Sequence, residues 1–110
     1  MLPHQFFKLL SDETRLRCLL LIARHGPLRV SELTAALEES QPKISRHLAQ
    51  LRNLGVFKDE RQGQSVYYAI ADNIPGWSRK VIEGLAKSNC LQDNYEADIQ
   101  RLLSIPNHSD

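Results

Sequence analysis

Cysteine is scarce in this sequence. There are two in 110 residues, Cys18 and Cys90, too few for a disulfide scaffold. The expectation is a cytoplasmic chain with reduced thiols. Long apolar runs are also missing. The longest, Cys18 to Ala23, has six residues, where a membrane helix needs roughly 20, so no membrane partner is expected. The first ten residues, MLPHQFFKLL, lack the basic start, long apolar middle and small-residue cleavage site of a secretion signal. Net charge is nearly absent, at +1, so any basic patch has to be local. The sequence offers no paired carboxylates on one face, no Ser/His/Asp arrangement and no glycine-rich phosphate loop, and an enzyme is not expected. The four histidines, His4, His25, His47 and His108, show no ligand spacing, so no metal or other cofactor is expected.

What is present suits one compact domain over residues 1–110, with 42% hydrophobic and 25% charged residues and no internal repeat. Pro3 to Leu10 predicts a short helix. In SDET at 11–14, Ser11 or Asp12 can cap a second helix that runs to about Arg24 and ends at Gly26-Pro27. Its apolar residues fall on two faces, Leu16, Leu19, Leu20 and Ala23 on one and Cys18, Leu21 and Ile22 on the other, which predicts burial on two sides. Ser31 can cap a short helix from Glu32 to about Leu37. Ser40 can cap another, with Gln41 and Pro42 in its first turn, running to Leu54 and stopped by Gly55.

Two short helices joined by a tight turn make a helix-turn-helix over about 31–54. VFKDERQGQSVYYAIA, about 56–71, then reads as two strands around Gly63, the wing. Asn73 to Lys87 predicts a further helix. Tyr95, Ile99 and Leu102 keep helical spacing, so the helical region covers about 74–104, with Ser88-Asn89 either breaking it or passed through. The tail IPNHSD predicts fraying. The fold class is mainly α with a small β hairpin, a winged helix-turn-helix.

The helix SQPKISRHLAQL carries the chemistry. Ile44, Leu48 and Leu51 form a core-facing stripe. Pro42, Ser45, Arg46, Ala49 and Gln50 lie opposite, with Lys43 and His47 on one flank and Gln41 and Arg52 toward the other. Between Gln41 and Gly55 there are three positive residues and no acidic one. Such a face suits the DNA major groove, where Gln can read adenine, Arg can read guanine, and Ser can bond bases or phosphates. The free amides of the helix start, at Ser40, suit a phosphate. Arg61, Gln62 and Gln64 at the wing tip can reach the neighbouring backbone or minor groove. Against this stand a merely solvated helix face and a winged-helix module that binds protein rather than DNA. An acid-free basic face preceded by a tight turn and followed by a wing favours DNA.

At these motifs the chain resembles the ArsR/SmtB family of bacterial winged-helix repressors. The resemblance rests on FFKLLSDETRLRCLLLI, on SELTAALEESQPKISRHLAQLRNLGV and on DERQGQSVYYAI, and is strongest to the arsenic-repressor branch. It implies a homodimer, paired through its first and last helices (about 3–10 and 74–104), that blocks transcription on a pseudo-palindromic operator until a small-molecule inducer releases it. Phe6, Phe7, Leu10, Trp77, Val81 and Leu85 agree, being more apolar surface than a monomer's terminal helices require. A two-fold dimer sets two recognition helices about one DNA turn apart.

The chain departs from that branch at its sensor. The branch carries Leu-Cys-Val-Cys-Glu-Leu, and this sequence has Leu28-Arg29-Val30-Ser31-Glu32-Leu33. Trivalent arsenic wants thiolates. Arg29 and Ser31 supply none, so the usual arsenic site is absent. The family's other metal site uses Asp and His on the last long helix, and Asn73 to Lys87 holds no histidine. Three readings of the signal remain: a redox or reactive-sulfur switch using Cys18 and Cys90, as in some family members; an anionic metabolite near Arg29 and the helix start at Ser31; or no inducer at all. Beside them stand plainer readings, a buried core Cys18, an incidental Cys90, and an Arg29 that contacts phosphate or a surface carboxylate.

Overall fold

The computed structural model describes residues 1–106; His108 and the end of the IPNHSD tail lie outside the described residues. The order of elements is α1 (Pro3–Leu10), α2 (Glu13–His25), β1 (Leu28–Arg29), α3 (Val30–Leu37), α4 (Gln41–Leu54), β2 (Phe57–Gln62), β3 (Ser65–Ile70), α5 (Gly76–Lys87), α6 (Asn89–Asn94) and α7 (Glu96–Leu103).

Helix α2 is the centre of the molecule. Cys18, Leu19, Leu20, Leu21 and Ile22 are all buried, as its two apolar faces predict. Asp12 caps it, its carboxylate accepting the Arg15 amide at 3.0 Å. Gly26 ends it at φ 81°, a left-handed value that glycine alone adopts without strain. Against this helix pack Leu33 and Leu37 of α3, and Ile44, Leu48 and Leu51 of α4. Burying each such leucine or isoleucine contributes about 1.5–3 kcal/mol before chain entropy is charged.

Ser40 caps α4, accepting the Lys43 amide at 3.4 Å, and Gly55 stops it at φ 93°. The cap of α3 differs from expectation. The helix starts at Val30, not Glu32, and Ser31 lies inside its first turn. Leu28 and Arg29 pair with Tyr68 and Tyr67 of β3, so the chain leaves a strand and enters the helix at once. The Glu32 carboxylate then reaches back to the Arg29 amide at 2.9 Å and closes the first turn.

The wing is a hairpin in register from Phe57↔Ile70 to Gln62↔Ser65. Its two-residue loop puts Gly63 first, at φ 62°, the position that a type II′ turn reserves for glycine. With β1 it forms a three-stranded antiparallel sheet in the order β1-β3-β2. The predicted hairpin is therefore one strand larger, because two residues are too few to show an alternation.

The helical region 74–104 is three helices. Ser88 takes an extended conformation (φ −73°, ψ 117°) and its hydroxyl caps α6 at the Leu91 amide. Tyr95 interrupts again at φ −116°. Helix α7 folds back on α3 of the same chain, burying Ile99 and Leu102.

Candidate nucleic-acid interface

The outward surface of α4 begins at its capped end. Ser40, Gln41, Pro42 and Arg46 are exposed, and Lys43 and Ser45 half-buried. Gln41 donates its amide to the Ser45 hydroxyl at 2.7 Å, which pre-sets two hydrogen-bonding groups side by side. Lys43 rests on Glu39 at 3.1 Å, an exposed pair of modest worth. The Arg46 side chain makes no hydrogen bond or ion pair among the described residues. Its guanidinium fork is free for a guanine edge or a phosphate. Arg61, Gln62 and Gln64 are exposed at the wing tip. The wing is anchored to α4 through Asp59, 3.6 Å from Arg52, and braced by Lys58 between Glu60 (2.9 Å) and Asp72 (2.8 Å).

Two residues assigned to this face turn elsewhere. His47 is buried, not a flank open to phosphate. It stands three residues after Ile44 and four before Leu51, so it extends the inward stripe. Its Nδ1 lies 3.2 Å from Arg15 Nη1 and its Nε2 3.7 Å from the Asp12 carboxylate. Gln50 is exposed, but its carbonyl oxygen accepts from Arg15 Nη1 at 2.8 Å. Arg15 also donates through Nε to the Leu9 carbonyl at the end of α1, at 2.7 Å. One arginine thus ties α1, α2 and α4 together. The Arg15 amide holds the Asp12 carboxyl below its ordinary range; partial burial opposes this, and His47 and Arg15 assist.

A second cluster fixes the turn between α3 and α4. Asp98 of α7 is buried and accepts from Arg17 of α2 (Nε to Oδ2 2.8 Å, Nη2 to Oδ1 2.6 Å) and from Arg101 (Nη2 to Oδ1 2.8 Å). The same arginines donate to the last carbonyls of α3: Arg17 to Leu37 at 3.2 Å, Arg101 to Ala36 at 2.6 Å. Arg101 also lies 3.4 Å from Glu38. Glu38 holds φ 55°, and no other non-glycine described residue has a positive φ, a conformation costing about 1–2 kcal/mol without local support. The hydrogen bonds to Asp98 raise the Arg17 pKa. Sequence reasoning missed Arg15, Arg17, Asp98 and Arg101. Their charges in otherwise apolar helices were the available signal, but nothing in the sequence pairs them.

Among the six apolar residues assigned to a dimer face, Phe6 is fully buried within the single chain, edge-on to Phe7 and Trp77 at ring separations of 5.5 and 5.4 Å. It is an anchor of the monomer core, because α1 packs on α2 and α4 and the Trp77 ring of α5 closes against it. Phe7 is 51% exposed. Leu10, Trp77, Val81 and Leu85 are half-buried and border the core.

The sensing candidates are dispersed. Arg29 lies 3.3 Å from the buried Glu32 carboxylate and over the Tyr67 ring at 5.8 Å, with Ser31 exposed beside it. Cys18 is buried in α2, where desolvation pushes its thiol up to about 12. Cys90 is exposed on α6. Among the described residues no three His, Cys, Asp or Glu converge as metal ligands.

Residues 12–58 match the family model described as "Bacterial regulatory protein, arsR family". The chain is 53% identical over 100 residues to the arsenic resistance transcriptional regulator ArsR1 of Pseudomonas putida, covering 91% of this chain and 77% of that one. It is 45% identical over 102 residues to the arsenical resistance operon repressor of Escherichia coli, covering 93% and 86%. Among solved structures it is similar to the AntR antimony-specific transcriptional repressor (32% identity, TM-score 0.61, covering 82% of this chain and 76% of that one). It is also similar to reduced HlyU from Vibrio cholerae (31% identity, TM-score 0.67, 78% and 86%). The helix-turn-helix, the wing and these relatives together place the chain in the arsR family of bacterial regulatory proteins.

Proposed function

We propose that the chain is a homodimeric, cytoplasmic transcriptional repressor that binds double-stranded operator DNA through α4 and the wing, and that its inducer is not arsenite bound at the branch's usual thiol pair. The observation that carries the DNA reading is the unpartnered Arg46 on the capped, acid-free outer face of α4, on a helix braced from behind by Arg15. A face kept for protein partners has no need of a free guanidinium beside the exposed start of α4.

The dimer reading draws on Phe7 and the half-buried Trp77, Val81 and Leu85, which leave an apolar surface at the α1–α5 edge. The inducer reading draws on chemistry. Names of relatives refer to arsenic or antimony, yet Arg29 and Ser31 stand where thiolates are required, and a soft trivalent centre gains little from a guanidinium or hydroxyl. An anionic effector at Arg29 has to displace the Glu32 carboxylate already there. A thiol switch has to draw on Cys18, whose buried thiol resists ionisation.

The test is a salt titration of binding to a fragment of the chain's own promoter region. Phosphate contacts release counterions, so affinity is expected to fall steeply and linearly on logarithmic axes. A flat dependence, or no binding, transfers the reading to a protein-interaction module.

A further inference from the structure

Arg24, near the end of α2, is a partly buried cation left largely unsatisfied among the described residues. Its Nε donates to the Ala86 carbonyl of α5 at 3.0 Å. Its two terminal nitrogens are buried and have no hydrogen-bond partner among the described residues. Buried donors left unpaired are uncommon and costly in folded proteins. Burial lowers the pKa of this guanidinium, and only the charge of Glu96 opposes the shift.

Arg24 lines a cleft of about 410 Å³ between α2, β3 and α5. The apolar part of its wall comes from Ile70, Ile74 and Ile82, and Arg79 and Lys87 add two further positive charges. The single carboxylate in the lining, Glu83, faces Lys87 at 4.0 Å, and both side chains are exposed, at 53% and 80%. Such a loose surface pair opens at little cost.

The cleft lies on the far side of α5 from Trp77 and Val81, and shares only the buried Ile82 with the helix's apolar set. At about 100° per residue, Trp77, Val81 and Leu85 span one sector of the helix, and Arg79, Glu83 and Ala86 centre about 160° around it. A partner docked on Trp77 and Val81 leaves the cleft open.

We infer that this cleft binds a small organic carboxylate with a short apolar body, its carboxylate held by Arg24 and its body against Ile70, Ile74 and Ile82. The terminal nitrogens of Arg24 are covered as they stand, so a small outward turn of the side chain brings them to the cleft; the planar fork then matches a carboxylate with two parallel hydrogen bonds, and an apolar wall with a few convergent polar groups is the usual make-up of a small-ligand site. Because the wall spans β3 of the wing and α5, occupancy acts on DNA binding. That regulatory step rests on the repressor reading; the binding step does not.

The test separates the two. Thermal unfolding of the DNA-free protein is followed with isovalerate, phenylacetate and benzoate, with their amides as controls, and with inorganic phosphate. Binding to the native state raises Tm with ligand concentration. At least one carboxylate is expected to raise Tm in a saturable way, while its amide and phosphate do not. Arg24→Met is expected to abolish the shift with little change in the ligand-free Tm, since the one bond it gives up, to Ala86, is offset by removing a poorly satisfied buried charge. The surface variant Lys87→Glu is expected to weaken binding several-fold with the fold untouched. No saturable shift with any carboxylate, equal shifts with the amides or phosphate, or a full shift in Arg24→Met overturns the site. DNA affinity measured with and without the active carboxylate then tests regulation alone: a change supports it, and no change overturns it while leaving the site standing.

Discussion

Arg17 and Asp98, 81 residues apart, are joined by two parallel hydrogen bonds of 2.8 and 2.6 Å in a setting where the two side chains are 15% and 5% exposed. The pair fastens the C-terminal helix α7 to the central α2, and Arg17 continues to the Leu37 carbonyl at the helix-turn-helix turn. Removing one partner of a buried pair leaves the other charged and unsatisfied. Asp98→Ala is therefore expected to destabilise the protein by about 3–5 kcal/mol, read as a fall in the urea midpoint at pH 7. A loss under about 1 kcal/mol contradicts the clamp.

On α4, the paired substitution Ser45→Ala and Arg46→Ala is expected to weaken operator binding by roughly 1–3 kcal/mol per lost base contact. Both side chains face outward, so the unfolding midpoint stays put. A gel-shift titration with unchanged affinity removes this helix from the interface.

His47 is expected to behave oppositely. It packs inward against Arg15 and Asp12, so His47→Ala costs stability, about 1–3 kcal/mol for the donors and acceptors stranded. The salt slope of DNA binding is expected to remain that of the wild type, because no phosphate contact is lost. A shallower slope with intact stability returns His47 to the DNA face.

Asp12 gives a pH signature. Its folded carboxyl is held below the ordinary range, so the folded state binds this proton less readily than the unfolded chain. The stabilisation is complete above the unfolded value, near about 4, and is lost as pH falls through the lower folded value. Asp12→Ala is expected to cost about 1 kcal/mol at pH 7, with the gap to wild type narrowing as pH falls below the ordinary carboxyl range. A gap constant across that range argues against the charged cap.

The thiols are expected to differ in accessibility. In the folded, reduced protein Ellman's reagent should titrate one thiol quickly, that of exposed Cys90, and reach buried Cys18 only on unfolding. Two fast thiols contradict the buried assignment.

Local signals carried much of this architecture into the sequence. The Ile44, Leu48 and Leu51 stripe, the caps Asp12 and Ser40, and the turn glycines Gly55 and Gly63 each act within a few residues, where spacing and side-chain chemistry are visible. What was hidden depends on distance. His47 reads as a polar flank until Arg15, 32 positions earlier, is brought against it. Arg24 reads as an ordinary helix-end cation until α5 buries it. Strand β1 is set by its partner β3, not by its own two residues, and that pairing moved the α3 cap from Ser31 to Arg29. Phe6 and Phe7 are indistinguishable in sequence, and only the way α1 packs on α2 and α4 makes one core and the other surface.

The most direct measurement is fluorescence anisotropy of the reduced protein on a fluorescent fragment of its own promoter region, titrated with arsenite. Tight, salt-sensitive binding is expected, weakened by Arg46→Ala and unchanged by arsenite. Release of the DNA at low micromolar arsenite would contradict this, since the positions held by Arg29 and Ser31 provide no thiolate to bind the metalloid.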